Sequence, residues 1–243
     1  MLIGLVGKPS CGKSTFFKAA TMADVLIASY PFATIKPNHG VGHVKIDCIE
    51  KEFDTTCNPQ KGYCLEGNRF VPIELMDVAG LVEGASEGKG LGNQFLDNLT
   101  SADAFIHIVD VSGETDAEGK ETKNYDPTLD VKMLENELDL WYLGILKKVW
   151  GTFARTIQNT KGDFAKAVAK QFSGLKVVED DVKDVLRKGD FNTEKPNSWT
   201  DQQLLDFAHE LRHLTKPMII AANKIDKPNS AENLKKLKAS YPE

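Results

Sequence analysis

The chain has 243 residues, 41% of them hydrophobic, and a formal net charge of −5 with a pI near 5.6. That length suits one domain, or one domain with a large insertion, and a core that needs no disulfide or metal staple. The acidic balance argues against nonspecific coating of nucleic acid but leaves room for a local basic face; MLIGLVGKPS is no signal peptide, no run nears the ~20 apolar residues of a membrane span, and the four cysteines read as reduced thiols of a cytosolic protein.

In chain order, Leu2 to Val6 is a short apolar run ending at a glycine-rich turn and reads as a buried strand, followed by a helix over 13–20. VGHVKI (41–46) alternates as a strand does. FVPIELM (70–76) is another strand, which Pro72 demotes to an edge or a bulge. A helix is predicted at 93–99, and strands at FIHIVDV (105–111) and PMIIAA (217–222). Strands alternating with helices imply an α/β fold with a mainly parallel sheet covered on both faces and right-handed crossovers.

Residues 112–216 interrupt this alternation. Leu129, Met133, Leu134, Leu138, Trp141, Leu143, Ile145, Leu146 and Val149 form a helical apolar stripe. Shorter helical patterns follow at about 163–172 and 179–187, and Thr200 with Gln203 makes a capping box that opens another helix. A strand–helix–strand crossover needs far fewer residues. The expected organisation is one domain over 1–111 and 217–243, with a helical insertion over 112–216 and a last helix at about 230–239.

Three motifs carry chemistry. Gly7-Lys8-Pro9-Ser10-Cys11-Gly12-Lys13-Ser14, followed by Thr15, matches GxxxxGK[ST] between a strand and a helix. Its glycines let backbone N–H groups curl around phosphates. Lys13 sets a charge against the β- and γ-phosphates, and Ser14 is placed to ligate Mg²⁺. Asp77-Val78-Ala79-Gly80 ends a strand, so Asp77 can hold Mg²⁺ through water and the Gly80 amide can sense the γ-phosphate. Asn223-Lys224-Ile225-Asp226 ends the last strand. Asp226 can accept two hydrogen bonds from guanine, a donor pair adenine lacks, while Asn223 and the Lys224 stem hold the ring and loop.

Several segments together resemble the Obg-type translation-associated GTPases, and within them the YchF-related branch of archaea and fungi. They are Tyr30-Pro31-Phe32-Ala33-Thr34-Ile35-Lys36-Pro37-Asn38-His39-Gly40, Asp77 through Ala85, Gly88 through Leu96, Trp141 through Leu146, and Trp199 before the helix leading to Lys216-Pro217-Met218. The resemblance implies a P-loop G domain that hydrolyses GTP with Mg²⁺ as a switch, with a ribosomal or rRNA partner. It implies that Thr34 joins Ser14 and Asp77 as a metal ligand in the triphosphate state, that Lys13, Thr34 and Gly80 form the catalytic set, and that 77–93 is switch II. It also implies a further base-contacting motif and a small TGS-type β-rich domain, so the chain is expected to be a piece of a longer protein.

The family pattern carries a hydrophobic residue, here Leu81, where many GTPases have a water-positioning glutamine; slow intrinsic hydrolysis follows. Ser10 stands where many members carry an asparagine associated with potassium use, so potassium stimulation is not expected. YchF proteins proper have an altered base-reading motif and accept ATP, whereas the intact Asn223-Lys224-x-Asp226 points to GTP. The alternatives are a nucleotide-stabilised binding module with negligible turnover and an ATP-using YchF-like ATPase.

Other residues have a functional and a plainer reading. Cys48, Cys57 and Cys64 lie near His39 and His43, but their spacing is looser than a zinc knuckle; a zinc site, a Cys57–Cys64 disulfide and ordinary loop thiols all stand open, with ordinary thiols favoured. Cys11 sits where helix N-terminal charge would lower its pKa, although a small residue there also simply fits the turn. His107 reads as a core or sheet histidine and Asp110 as a strand end. Lys147, Lys148, Arg155, Lys161, Lys166 and Lys170 offer charge for rRNA phosphates or form a solvated helix surface, the reading favoured here.

Overall fold

The computed structural model describes residues 1–22, 37–53, 55–87 and 92–242. Thr34, most of the 30–40 segment and residues 88–91 of switch II lie outside the described residues.

β1 (Leu2–Val6) runs into the glycine-rich turn, and α1 (Lys13–Thr21) leaves it. β2 (Asn38–Asp47), α2 (Glu50–Phe53), β3 (Tyr63–Leu65) and β4 (Asn68–Asp77) follow, then α3 (Gly92–Leu99) and β5 (Ala104–Asp110). Four longer helices lie before the last strand: α4 (Thr128–Thr160), α5 (Phe164–Gln171), α6 (Glu179–Lys188) and α7 (Asp201–Thr215). β6 (Met218–Asn223) and α8 (Ser230–Ser240) complete the order. No described helix is long and apolar enough to cross a membrane.

Among the described residues the strand order is β2-β4-β1-β5-β6, with β3 on β4. β1 pairs in parallel with β4 and β5, and β5 with β6, whereas β2 and β3 are antiparallel to β4. This is the α/β P-loop fold, parallel at its centre and mixed at one side. β4 is therefore an interior strand, contrary to the edge or bulge expected from Pro72. The reason is local. β1 meets β4 only from Glu74 onward, so Pro72, opposite His43 of β2, lies beyond the end of β1, where its missing N–H has no partner strand to serve.

α4 has 33 residues, reaching well past the end of the apolar stripe at Val149. It enters two cores. Leu134 and Leu138 pack with Val6, Met76, Leu99 and Phe105 under the sheet. Tyr142 and Leu146 join Phe164, Phe172, Trp199 and Phe207 in a separate helical core. Leu129, expected on the buried stripe, is exposed. Asp139 of α4 binds α7, accepting from Arg212 Nε and meeting His209 Nδ1, each at 2.7 Å. The capping box is present: Thr200 Oγ1 accepts from Gln203 N at 3.2 Å and Gln203 Oε1 from Thr200 N at 2.9 Å.

Candidate nucleotide site

The parallel strands β1, β4, β5 and β6 bring their C-terminal ends together, so the three motifs converge although they are far apart in sequence. The turn after β1 curls through positive φ at Gly7, Ser10 and Gly12 before α1 begins at Lys13. A Cβ on Gly7 would meet Ile108 O at 2.5 Å, and one on Gly12 would meet Asn223 Nδ2 at 2.3 Å, so both positions require glycine.

Lys13 is buried and folded onto its own loop, donating to Gly7 O at 3.1 Å and Lys8 O at 2.8 Å. Ser14 Oγ donates to Asp77 Oδ2 at 2.6 Å, and the second oxygen, Asp77 Oδ1, is buried with no hydrogen-bond partner among the described residues. Burial raises the Asp77 carboxyl against the pull of Ser14 and Lys13. A hydroxyl beside a buried carboxylate with one unsatisfied oxygen suits a hard, oxygen-seeking cation such as Mg²⁺. Gly80 lies so close to the loop that a Cβ there would stand 2.6 Å from Pro9 N. The next amide, Leu81 N–H, donates to Gly7 O at 3.0 Å. The Leu81 side chain is 1% exposed, packed with Val6, Met76 and Val78.

At the other end, Asn223 Nδ2 donates to Cys11 O at 2.9 Å, and Lys224 Nζ to Ser10 O at 3.0 Å and Asp110 Oδ2 at 2.6 Å. The base motif and the phosphate loop are thus tied directly. Asp226 is exposed and has no hydrogen-bond partner among the described residues. Thr15, counted with the cradle from sequence, is an exposed residue of α1.

Two groups depart from their expected roles. Lys8 contributes backbone to the cradle, but its side chain turns away: Nζ donates to Thr115 O at 2.7 Å, pairs with Asp130 at 2.9 Å and sits 4.2 Å from the Tyr125 ring centre. Cys11 is fully buried, and burial pushes its thiol up against the influence of Lys13 and Lys8. The helix N-terminus therefore does not make it a reactive thiolate.

Asp110 is a hub that sequence reasoning left as a strand end. It accepts from Ser112, Thr115 and Lys224. Burial pushes its carboxyl up, but these hydrogen bonds outweigh burial and hold it below the ordinary carboxylate range. Together with Lys8 and Asp130, it anchors the loop after β5 against the phosphate cradle; a Cβ on Gly119 of that loop would lie 2.8 Å from Pro9 O. The sequence signal was an aspartate ending an apolar strand beside the cradle, which is meaningful only once a buried partner is known.

The segment after Asp77 is also held from the helical side. Glu137 of α4, 2% exposed, accepts from Gly84 N at 2.6 Å and Ser86 N at 2.8 Å. The six basic residues noted above, in α4, α5 and the turn between them, are exposed, and Lys147 pairs with Asp201 at 2.9 Å.

A family model described as 50S ribosome-binding GTPase matches residues 2–137. The GTP-binding protein MJ1332 of Methanocaldococcus jannaschii is 50% identical over 240 residues, 99% of this chain and 60% of that protein. The ribosome-binding ATPase YchF of Bacillus subtilis is 34% identical over 248 residues, 97% of this chain and 60% of its own length. The crystal structure of a GTP-binding protein from Pyrococcus horikoshii OT3 superposes with a TM-score of 0.83 at 39% identity, covering 100% of this chain and 61% of that one. The chain therefore spans about three fifths of the length of these relatives.

Proposed function

The chain belongs to the 50S ribosome-binding GTPase family, and from that premise we propose that it is the nucleotide-binding part of a slow, Mg²⁺-dependent GTP switch acting in the cytoplasm on a ribosomal partner. The carrying observation is the link between the two motifs: Asn223 and Lys224 bond to the carbonyls of Cys11 and Ser10, while Asp226, two residues on, is exposed and unpaired among the described residues.

In this reading Lys13 exchanges its loop carbonyls for β- and γ-phosphate oxygens, and Gly12 and Lys13 present N–H groups at the start of α1. Ser14 and Asp77 would hold Mg²⁺, joined by Thr34 in the triphosphate state, and when bound it would supply neutralisation of charge building on the phosphates. Gly80 senses the γ-phosphate and, through Leu81 N–H, stays against Gly7 until hydrolysis. Leu81, buried among apolar side chains, can neither orient nor polarise water, which makes slow turnover the expectation. Relatives carry both GTP-binding and ATPase names; Asn223-Lys224-x-Asp226 favours guanine here, because adenine leaves Asp226 unpaired.

Competition of ATP against labelled GTP, with GDP release followed over hours, tests both parts. GTP displaced only by guanine nucleotides, with slow Mg²⁺-dependent GDP formation, is the expected result. Equal displacement by ATP defeats the guanine assignment, and absent turnover leaves a nucleotide-stabilised binding module in its place.

A further inference from the structure

Residues 48–67 make an excursion between β2 and β4 that none of the hydrophobic cores reaches. Ile49, Phe53, Tyr63 and Leu65 are exposed, as are Val44 and Ile46 on the adjoining strand. Among the described residues of the excursion, only Cys48 and Gly67 are buried. A unit this small without a core usually draws its order from a covalent or metal staple.

At its centre three sulphurs converge. Cys48 follows the last residue of β2, Cys57 lies in the loop after α2, and Cys64 is the middle residue of β3. Their Sγ atoms all lie within 4.8 Å of one another, with Cys48 and Cys64 at 3.3 Å, and all are free thiols. Each is pinned separately. Cys48 N–H donates to Gly67 O at 2.9 Å, Cys57 N–H donates to the Glu50 carboxylate at 2.8 Å, and Cys64 stands opposite Arg69 in the β3–β4 register. Glu66 and Gly67, at φ 51° and 74°, make the tight turn that fixes the positions of Cys64 and Cys48 together.

We propose that Cys48, Cys57 and Cys64 bind one zinc ion that staples this excursion. Thiolates at about 2.3 Å from a tetrahedral zinc stand roughly 3.8 Å apart, a separation bracketed by the 3.3 Å pair and the 4.8 Å limit. Soft sulphur ligands select zinc over Mg²⁺ or Ca²⁺. Each thiol loses its proton to solvent as its Zn–S bond forms. A disulfide would use two of the sulphurs and leave the third without a role. The site lies far from the nucleotide, because Asp77 pairs with Asn38 at one end of β2 and the cysteines sit past the other, roughly 30 Å away along the strand. It stands independently of the nucleotide assignment.

Reduced protein stripped by chelator and titrated with Co²⁺ should develop a thiolate-to-cobalt charge-transfer band that saturates at one ion per chain and is bleached by one equivalent of Zn²⁺. Cys57→Ser and Cys64→Ser should each weaken Zn²⁺ binding by about 100-fold or more. Alkylation mapped by mass spectrometry supplies a test on the unaltered chain, in which Zn²⁺ should slow labelling at all three cysteines together. No charge-transfer band, a band that survives when Cys57→Ser and Cys64→Ser are combined, or alkylation indifferent to Zn²⁺ would overturn the proposal. So would a Cys48–Cys64 disulfide persisting in the reduced preparation.

Discussion

The phosphate end and the base end of the cleft differ in how they stand before any ligand arrives. At the phosphate end the charged groups already have partners: Lys13 on two loop carbonyls, Ser14 on Asp77, Lys8 on Asp130 and Lys224 on Asp110. At the base end Asp226 is exposed and unpaired among the described residues. In the proposed reading phosphate binding would be an exchange at Lys13, whose neutral carbonyl acceptors would give way to charged oxygens that form stronger hydrogen bonds. In the same proposed reading base binding would be a net gain of two bonds at Asp226, both forfeited by a wrong base. The first end would then supply strength indifferent to the base, and the second would supply choice.

Paired substitutions test that division most severely. Lys13→Ala should weaken GTP, GDP and inorganic triphosphate alike, by about 100-fold or more, since it deletes a buried charge and leaves its partners unpaired. Asp226→Ala should cost guanine nucleotides about 10- to 100-fold and leave ATP and inorganic triphosphate unchanged. Equilibrium titration of the four ligands reads both; equal losses for ATP and GTP in Asp226→Ala would dissolve the distinction.

A smaller effect separates the ends by pH. His107 lies beneath the phosphate loop, 1% exposed, with neither ring nitrogen hydrogen-bonded among the described residues. Burial first, then the charges of Lys13 and Lys8, pushes its pKa down to about 3. The folded chain keeps this ring neutral while the unfolded chain protonates it near pH 6.5. Its contribution to stability is therefore intact above that pH and is lost as pH falls from about 6.5 toward 3, by at most about 1.4 kcal/mol per pH unit. Denaturant unfolding at pH 7 and pH 5.5 should show a flatter pH dependence in His107→Met than in the parent chain.

The smallest effect lies where the phosphate end meets the helices. Glu137→Gln removes the charge that accepts from Gly84 and Ser86. Amide exchange at those two residues should quicken by about 10-fold, since hydrogen bonds to charged groups contribute ~1.5–3 kcal/mol and the amide keeps one acceptor. Nucleotide affinity should change little, and a large loss would place α4 inside the binding machinery.

Much of this was legible in the sequence because the signals are local. The Leu2–Val6 run, the glycine turn and the start of α1 fall within a few residues of each other, and β6 ends directly in the base motif. The capping box at Thr200 and Gln203 was equally self-contained. What escaped was set by distant partners. Asp110 meets Lys224 across 114 positions, and Lys8 meets Thr115 across 107. Nothing in the immediate surroundings of Asp110 or Lys8 distinguishes a buried hub from a strand end or a phosphate ligand. Pro72 misled for a related reason, since its tolerance depends on where β1 stops. The continuation of α4 beyond Val149 was hidden because its apolar positions thin out there, leaving Phe153, Ala154 and Ile157 to mark the inner face.

The length of α4 has a mechanical meaning. Glu137 holds Gly84 and Ser86 in the first half of a helix whose last residue is Thr160. Those 23 intervening steps make a lever arm of roughly 35 Å, so each degree of tilt at the grip carries the far end about 0.6 Å. The helical core around Phe164, Trp199 and Phe207 rides on that arm. Any tilt that carried the basic residues of α4 and α5 through several ångströms would also have to shift Leu134 and Leu138 where they pack under the sheet.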